Sequence, residues 1–166
     1  MRALIILLSL VLVGCEPVKF TKVKPKSEDV AGYYTLTTAS KTELAQAGYS
    51  STNVAFVKLN ADGMFEIKDL PDRWRLGNSV SQQTTNASYD SGNGTWKIES
   101  HGEGWTQRWG ILLDFPNSKG FSLQPPQGQY VYNVAMLRND KPPYVLHFGV
   151  GDPDGGEGLE LIKEKK

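Results

Sequence analysis

Apolar side chains recur at every second position through much of the chain after residue 54, which is the period of a β-strand with one buried face. From 105 to 115, the large apolar residues at 105, 109, 111, 113 and 115 alternate with polar or small ones. The stretch GTWKIES repeats this pattern, with Trp96 and Ile98 on one side and Thr95, Lys97 and Glu99 on the other. The pattern predicts antiparallel strands with one face in a core and one in water.

Turn-forming sequences separate these strands at short intervals. Asp62-Gly63 lies between VAFVKLN and MFEIKD and is a strong hairpin signal. Further turns are expected at HGEG (101–104), PNSKG (116–120), NDKPP (139–143) and GDPDGGEG (151–158). With GYYTLTT near the start, these segments give about eight strands, which must close or pair as two sheets to hide their edges. The sequence therefore predicts one all-β domain over 31–166, built as a small barrel or sandwich.

One short helix is expected within this β pattern. Ser40 is followed three residues later by Glu43, the spacing of a capping box. The residues LAQA at 44–47 favour helix, and Gly48 is a suitable terminator. The sequence therefore predicts a helix near 40–47, between the first and second strands.

The long polar connection at 69–91, DLPDRWRLGNSVSQQTTNASYDS, is the first candidate for a functional site. Long loops in compact domains are commonly functional or disordered. This one holds Arg73, Trp74 and Arg75, and Trp and Arg are enriched at binding hot spots. Alternatively, the loop has no function and Trp74 caps the open end of the core. We take these three residues as the candidate binding site for a protein partner or a small apolar ligand.

The first residues have the layout of an export signal. A basic start at Arg2 precedes an apolar run, Ala3–Val13, which is shorter than the ~20 residues of a membrane-spanning helix. The run ends in Leu12-Val13-Gly14-Cys15, which resembles the lipobox of bacterial lipoproteins. The resemblance implies that residues 1–14 are removed and that Cys15 becomes the amino terminus, linked by a thioether to diacylglycerol.

Cys15 is the only cysteine of the chain, so a lipidated Cys15 leaves the body without a disulfide or a cysteine metal site. Two or three acyl chains anchor a protein stably, so a membrane is the expected partner. Glu16 follows where enterobacterial inner-membrane lipoproteins tend to carry Asp. For a diderm source, the resemblance therefore favours the periplasmic face of the outer membrane.

Residues 15–30 are expected to form a basic tether between this anchor and the domain. They contain two prolines and the lysines Lys19, Lys22, Lys24 and Lys26, and an extended chain of this length reaches about 50 Å. The tether is either a solvated linker or a segment lying on an anionic surface. Removal of Arg2 leaves 17 of the 18 basic residues against 18 acidic ones, a balance unlike that of a nucleic-acid-binding protein.

The body also resembles lipocalin-like domains, which are small, all-β, single-helix and often exported. Lipocalins carry a Gly-x-Trp motif near the first strand, whereas Gly94-Thr95-Trp96 lies mid-chain here and the first strand holds Gly32-Tyr33-Tyr34. The resemblance therefore concerns architecture and implies no ligand. The end of the chain also resembles the ends of uncharacterised bacterial proteins, which implies no function.

The turn near the end of the chain contains residues that could form a metal site. Asp152, Asp154, Glu157 and Glu160 could supply oxygen ligands for Ca²⁺. Their spacing departs from the EF-hand pattern, and Asp, Pro and Gly are the expected residues of a tight turn. We therefore expect neither a metal nor a cofactor.

The sequence contains no nucleophile elbow, zinc-helix motif or phosphate loop. Of the two histidines, His101 falls in a glycine turn and His147 has the phase of an outward-facing residue. The favoured function is therefore a non-catalytic, lipid-anchored binding module. The alternatives are a periplasmic inhibitor or immunity protein against a hydrolase or toxin, a structural envelope lipoprotein, and a hydrolase with two carboxylates.

The lipobox generates the first prediction. Cys15→Ser removes the sulfur that accepts the diacylglycerol, so the variant should lose acyl labelling and leave the detergent phase when cells are fractionated. A variant that partitions with membranes as the parent does would contradict the lipid anchor.

Overall fold

A computed structural model describes residues 19–50, 54–72, 87–102, 104, 107–115, 134–149 and 158–165 of the 166-residue chain. The two helices are α1 (Ser27–Val30) and α2 (Thr38–Gln46). The strands are β1 (Gly32–Leu36), β2 (Phe56–Leu59), β3 (Met64–Pro71), β4 (Tyr89–His101), β5 (Arg108–Asp114), β6 (Val134–Arg138), β7 (Val145–Gly149) and β8 (Gly158–Lys163).

The eight strands form a closed barrel in which each strand is antiparallel to the next and β1 pairs with β8. The all-β prediction is confirmed, and of the two architectures left open the barrel is the one observed. Closure satisfies the backbone groups that an open sheet would leave at its two edges.

The barrel interior is filled by the apolar residues that the two-residue period placed on one face. The largest fully buried side chains are Tyr34, Leu59, Phe65, Ile67, Leu70, Ile111, Leu113, Leu137, Leu146 and Phe148. Trp96 is also buried, and its Nε1 donates to the carbonyl of Asn60 at 2.9 Å. A barrel of this strand number is just wide enough for such side chains to fill it.

The up-and-down topology gives the barrel two different ends. We call the end where β1 begins the basal end; it carries α1, the β2–β3 turn at 60–63 and the β6–β7 turn at 139–143. The opposite, distal end carries α2. The longer connections from β3 to β4, β5 to β6 and β7 to β8 also leave the barrel distally.

Helix α2 confirms the predicted short helix, but its amino-terminal cap is Thr37 rather than Ser40. The Oγ1 atom of Thr37 accepts a hydrogen bond from the backbone N–H of Ser40 at 3.2 Å. Ser40 instead lies in the first turn, where its buried Oγ accepts from the backbone N–H of Glu160 at 2.9 Å. The hydroxyl that was expected to cap the helix therefore fastens it to β8.

The predicted terminator of α2 is confirmed. Gly48 has a φ of +92°, and its N–H donates to the carbonyl of Ala45 at 3.1 Å. The N–H of Tyr49 reaches back to the carbonyl of Leu44 at 2.9 Å, which completes a Schellman motif.

The described part of the expected tether, residues 19–30, is packed against the barrel. Phe20 pairs with Arg138 of β6, and the N–H of Thr21 donates to Leu137 at 2.9 Å. On its other side, the carbonyl of Thr21 accepts from the N–H of Trp109 in β5, also at 2.9 Å. The segment thus fills the gap where β5 and β6 separate at the basal end, and Thr21 is fully buried. Phe20 and Thr21 are good strand formers, which outweighs the basic, linker-like composition around them.

The strand boundaries differ from the sequence expectation in two places. The strand expected from Trp105 begins at Arg108, after a turn in which Gln107 donates to the carbonyl of Gly104 at 3.2 Å; Trp105 itself lies outside the described residues. The connection expected at 69–91 is shorter, because β3 continues to Pro71 and β4 begins at Tyr89. Within the described residues, no helix has the length and apolar character needed to cross a membrane.

The barrel's packing yields the second prediction. A Cβ at Gly94 would collide with the carbonyl oxygen of Asp114 in β5 and lie 2.9 Å from the ring of Phe65. Gly94→Ala should therefore lower the free energy of unfolding by ~1–3 kcal/mol, the usual cost of overpacking. Gly149→Ala is the matched control, because nothing lies within 4 Å of its Cβ position. Urea unfolding followed by tryptophan fluorescence measures both; equal stability of the two variants would contradict the proposed packing constraint.

Candidate functional site

The base of the candidate loop is held together at the distal end of the barrel. Asp72, the last described residue before the loop, donates its N–H to the carbonyl of Ser88 at 3.1 Å. Its carboxylate accepts from the hydroxyl of Tyr49 at 2.6 Å and from that of Ser88. One carboxylate thus joins the two ends of the segment 73–86 to each other and to Tyr49, three residues after the end of α2.

A second set of contacts reinforces this loop base. The hydroxyl of Tyr89 accepts from the backbone N–H of Ser50 at 2.7 Å, and the rings of Tyr89 and Tyr49 meet edge to face with centroids 5.8 Å apart. Near this loop base, the pairing of β3 with β4 is irregular between Ile67 and Leu70, and Asp69 has a φ of +49°. Ser91 Oγ accepts from the N–H of Asp69 at 2.9 Å, which stabilises this bulge.

Several residues proposed from sequence lie outside the described residues. These are Cys15, the loop residues Arg73, Trp74 and Arg75, and the turn carboxylates Asp152, Asp154 and Glu157. Arg73 directly follows the hydrogen-bonded Asp72, so the described structure fixes where the candidate loop leaves the barrel. Glu160, the fourth carboxylate considered for Ca²⁺, lies in β8 and forms an ion pair with Arg138.

The barrel interior offers little space near this loop base. Beneath α2, a cavity lined by Leu36, Leu44, Tyr49 and Ala55, among others, has a volume of about 20 Å³. That is room for about one water molecule. Among the described residues, this cavity is too small for a small apolar ligand.

A polar cluster lies on the outer wall of the barrel at β6, β7 and β8. His147 has the outward phase predicted for it, yet it is only 4 % exposed. Phe20 covers it, with ring centroids 5.7 Å apart, and the guanidinium of Arg108 lies 4.7 Å from the centroid of Phe20. On the β8 side, a Cβ at Gly158 would lie 2.6 Å from the imidazole. The histidine is thus enclosed by the amino-terminal segment and its neighbouring strands.

The electrostatics of this cluster keep His147 neutral. Burial, and secondarily the positive charge of Arg138, lower the pKa of His147 to about 4. Its Nδ1 lies 3.5 Å from Oε1 of Glu160 and has no hydrogen-bond partner among the described residues. Because Glu160 is already paired with Arg138, its charge is largely compensated. The cluster therefore serves as a structural contact between the wall and the amino-terminal segment.

Sequence reasoning found the strand phase of His147 but missed its burial. The covering residue, Phe20, lies in a segment that its lysines made resemble a linker. The available signal was the pair Phe20-Thr21, a short run of strand-forming residues among the lysines. The described part of the chain holds no group of three or more His, Cys, Asp or Glu side chains able to bind a metal ion.

Comparisons of the chain with family models, with curated proteins and with solved structures found no match.

His147 gives the third prediction. Its pKa returns to about 6.5 in the unfolded chain, so between pH 6.5 and pH 4 the unfolded chain binds more protons than the folded one. The free energy of unfolding should therefore fall as the pH falls through this window, by about 2 kcal/mol from this group between pH 7 and pH 5. Chemical unfolding at several pH values measures the effect.

Two variants isolate this contribution from that of other titrating groups. His147→Gln should flatten the pH dependence between pH 7 and pH 5, because its side chain does not titrate. His101→Gln, at the other histidine of the chain, is the control. If His147→Gln loses stability with pH as steeply as the parent does, His147 is not the group responsible.

Proposed function

We propose that the protein is a lipid-anchored, non-catalytic binding module of the bacterial cell envelope that engages a protein partner through the distal end of its barrel. Cys15 carries the anchor, and the segment containing Arg73, Trp74 and Arg75 contacts the partner. For a diderm source, the protein lies at the periplasmic face of the outer membrane.

The observation that carries this proposal is the separation of the two ends. The chain that leads from Cys15 joins the barrel at the basal end, where the carbonyl of Lys19 accepts from the N–H of Asn139 at 3.1 Å. The connection that holds Trp74 leaves from Asp72, at the distal end. An anchor at one end and a long polar connection at the other orient the candidate loop away from the bilayer. Loops on rigid scaffolds commonly carry recognition.

Two further features support a protein partner over a small apolar ligand. The Asp72–Ser88 contacts join the two ends of the loop, and a pre-organised base reduces the entropy that binding must remove. The described interior is filled by large side chains, and the cavity beneath α2 holds only about 20 Å³. Ligand pockets for drug-sized molecules occupy ~300–1,000 Å³.

Affinity purification of the full lipoprotein in detergent tests this proposal. A protein should co-purify at a defined stoichiometry, and Trp74→Ala should weaken its binding by at least ~2 kcal/mol, roughly thirtyfold, as expected for a hot-spot tryptophan. Calorimetry or surface plasmon resonance with the identified protein measures the change.

The matched control is Tyr33→Ala, which removes an aromatic side chain that is 37 % exposed on the barrel wall, and it should leave binding unchanged. Equal binding by Trp74→Ala and the parent would show that the loop is not the site. If the co-purifying protein is a hydrolase or toxin that loses activity in the complex, the module is an inhibitor or immunity protein.

A further inference from the structure

The basal end of the barrel carries a fixed row of lysines. Lys19, Lys22 and Lys24 are exposed, and none of them forms an ion pair within the part of the chain that the structure describes. The backbone around them is bound to the wall: the carbonyl of Lys22 accepts from Nε1 of Trp109 at 3.2 Å. The amine of Lys24 lies 5.5 Å from the centroid of the same indole. These charges therefore belong to the barrel surface rather than to a free linker.

The distance to the anchor limits where this surface can lie. Phe20 comes five residues after Cys15, and an extended chain spans at most about 18 Å over that length. A thioether-linked Cys15 therefore keeps the basal end close to the headgroups, whereas a free tether ending at residue 30 would allow about 50 Å. Val23, which is 76 % exposed between Lys22 and Lys24, adds an apolar contact at the same place.

A groove beside this row opens on the same end. Lys24, Pro25 and Ser27 form one side, and the β2–β3 turn with Trp96 and Lys97 forms the other. Its volume of about 240 Å³ suits a lipid headgroup better than a drug-sized molecule, for which ~300–1,000 Å³ is usual.

The acidic groups near the row neutralise only part of it. Glu28 lies 4.0 Å from the amine of Lys26, and Glu99 lies 2.6 Å from that of Lys97. These carboxylates lie beside Lys26 and Lys97 and leave the three lysines of the row unpaired. Asp29 and Asp140 also lie at the basal end, but among the described residues neither forms an ion pair with Lys19, Lys22 or Lys24. Each lysine near an anionic membrane surface contributes about 1 kcal/mol, or roughly fivefold, to the attraction.

We propose that the basal end docks flat on the bilayer that holds the Cys15 acyl chains, with Lys19, Lys22 and Lys24 contacting the phosphates of anionic phospholipids. This inference rests on the lipid anchor of the proposed function. Docking in this way holds the distal end outward at a fixed orientation, which a tethered but undocked barrel does not do.

The absence of other cysteines makes a site-specific test possible. Two variants each introduce one thiol for a fluorescent label. Val23→Cys places it at the basal end. Val54→Cys places it at the distal end, where Val54 is 67 % exposed just before β2. The labelled lipoproteins are reconstituted in phosphatidylcholine vesicles that contain a headgroup nitroxide quencher, with or without phosphatidylglycerol. The label at position 23 should be quenched strongly in the anionic vesicles and weakly in the neutral ones, and the label at position 54 in neither.

Charge variants complete the test. The triple variant with Lys19→Gln, Lys22→Gln and Lys24→Gln should shift the equilibrium roughly 100-fold toward the undocked state. It should therefore abolish the quenching of the label at position 23. The same change at Lys41 and Lys68, which are exposed toward the distal end, should leave it intact. High salt should act as the triple variant does, because 1 M salt shortens the Debye length to about 3 Å.

The outcomes separate the docking proposal from the anchor. Two outcomes would contradict docking while supporting the anchor, provided that the protein floats with the vesicles. In one, both labels are quenched equally; in the other, quenching is the same with and without phosphatidylglycerol. If the parent chain takes up the thiol label, or the protein does not float with the vesicles, Cys15 is not lipidated and both proposals fail.

Discussion

The hydrogen bonds between β1 and β8 close the sheet, with Tyr34, Thr35 and Leu36 opposite Lys163, Ile162 and Leu161. This is the pairing of greatest sequence separation, so it forms at the highest entropic cost and needs all the intervening hairpins in register. Once it forms, no strand of the barrel keeps a free edge along this seam, and the alternating apolar residues of all eight strands face one interior. A one-residue slip in any hairpin would turn that strand's apolar set outward. The same closure creates two ends that differ in structure: short turns and α1 lie at the basal end, and α2 and the longer connections lie at the distal end.

Between β5 and β6 the wall is completed by the amino-terminal segment rather than by the two strands alone. Their pairing covers only Gly110–Leu112 and Val134–Met136, after which Thr21 bonds to both sides. Phe20 then buries His147, whose neutral state depends on that burial. Burying a neutral imidazole costs less free energy than burying an imidazolium. His147 can therefore lie beneath the ring of Phe20 in its neutral form. The consequence is that Phe20 and Thr21, five and six residues after the expected anchor at Cys15, belong to the folded domain.

The sequence predicted the parts of the structure that depend on local periodicity. The two-residue alternation around Trp96 and Ile111, the Asp62-Gly63 turn and the Gly48 terminator all act through neighbours in the chain, and all three are observed. The cap of α2 was misassigned because Thr37 and Ser40 are both capping residue types, and the choice between them depends on the hydrogen bond that the N–H of distant Glu160 donates to Ser40. The packing of Phe20 on His147 joins positions 127 apart in sequence (147 − 20), so no local pattern could reveal it. The loop base at Asp72 is likewise a contact between segments, Tyr49, Asp72 and Ser88, that the sequence does not bring together.

The difference between the two ends follows from the energetics of loop closure. Doubling the length of a surface loop costs only ~0.6 kcal/mol once its ends are held. A barrel whose strands are already paired can therefore carry long polar connections, such as the one after Asp72, with little loss of stability. The basal turns have less freedom, because the turn at 60–63 fixes the β2–β3 register and Asn139 donates to Lys19 of the inserted segment. The distal connections can therefore vary without disturbing closure, whereas a change at the basal end acts on the wall and, under the proposed anchoring, on the attachment to the membrane as well. That asymmetry is the physical reason to expect the partner distally and the membrane basally.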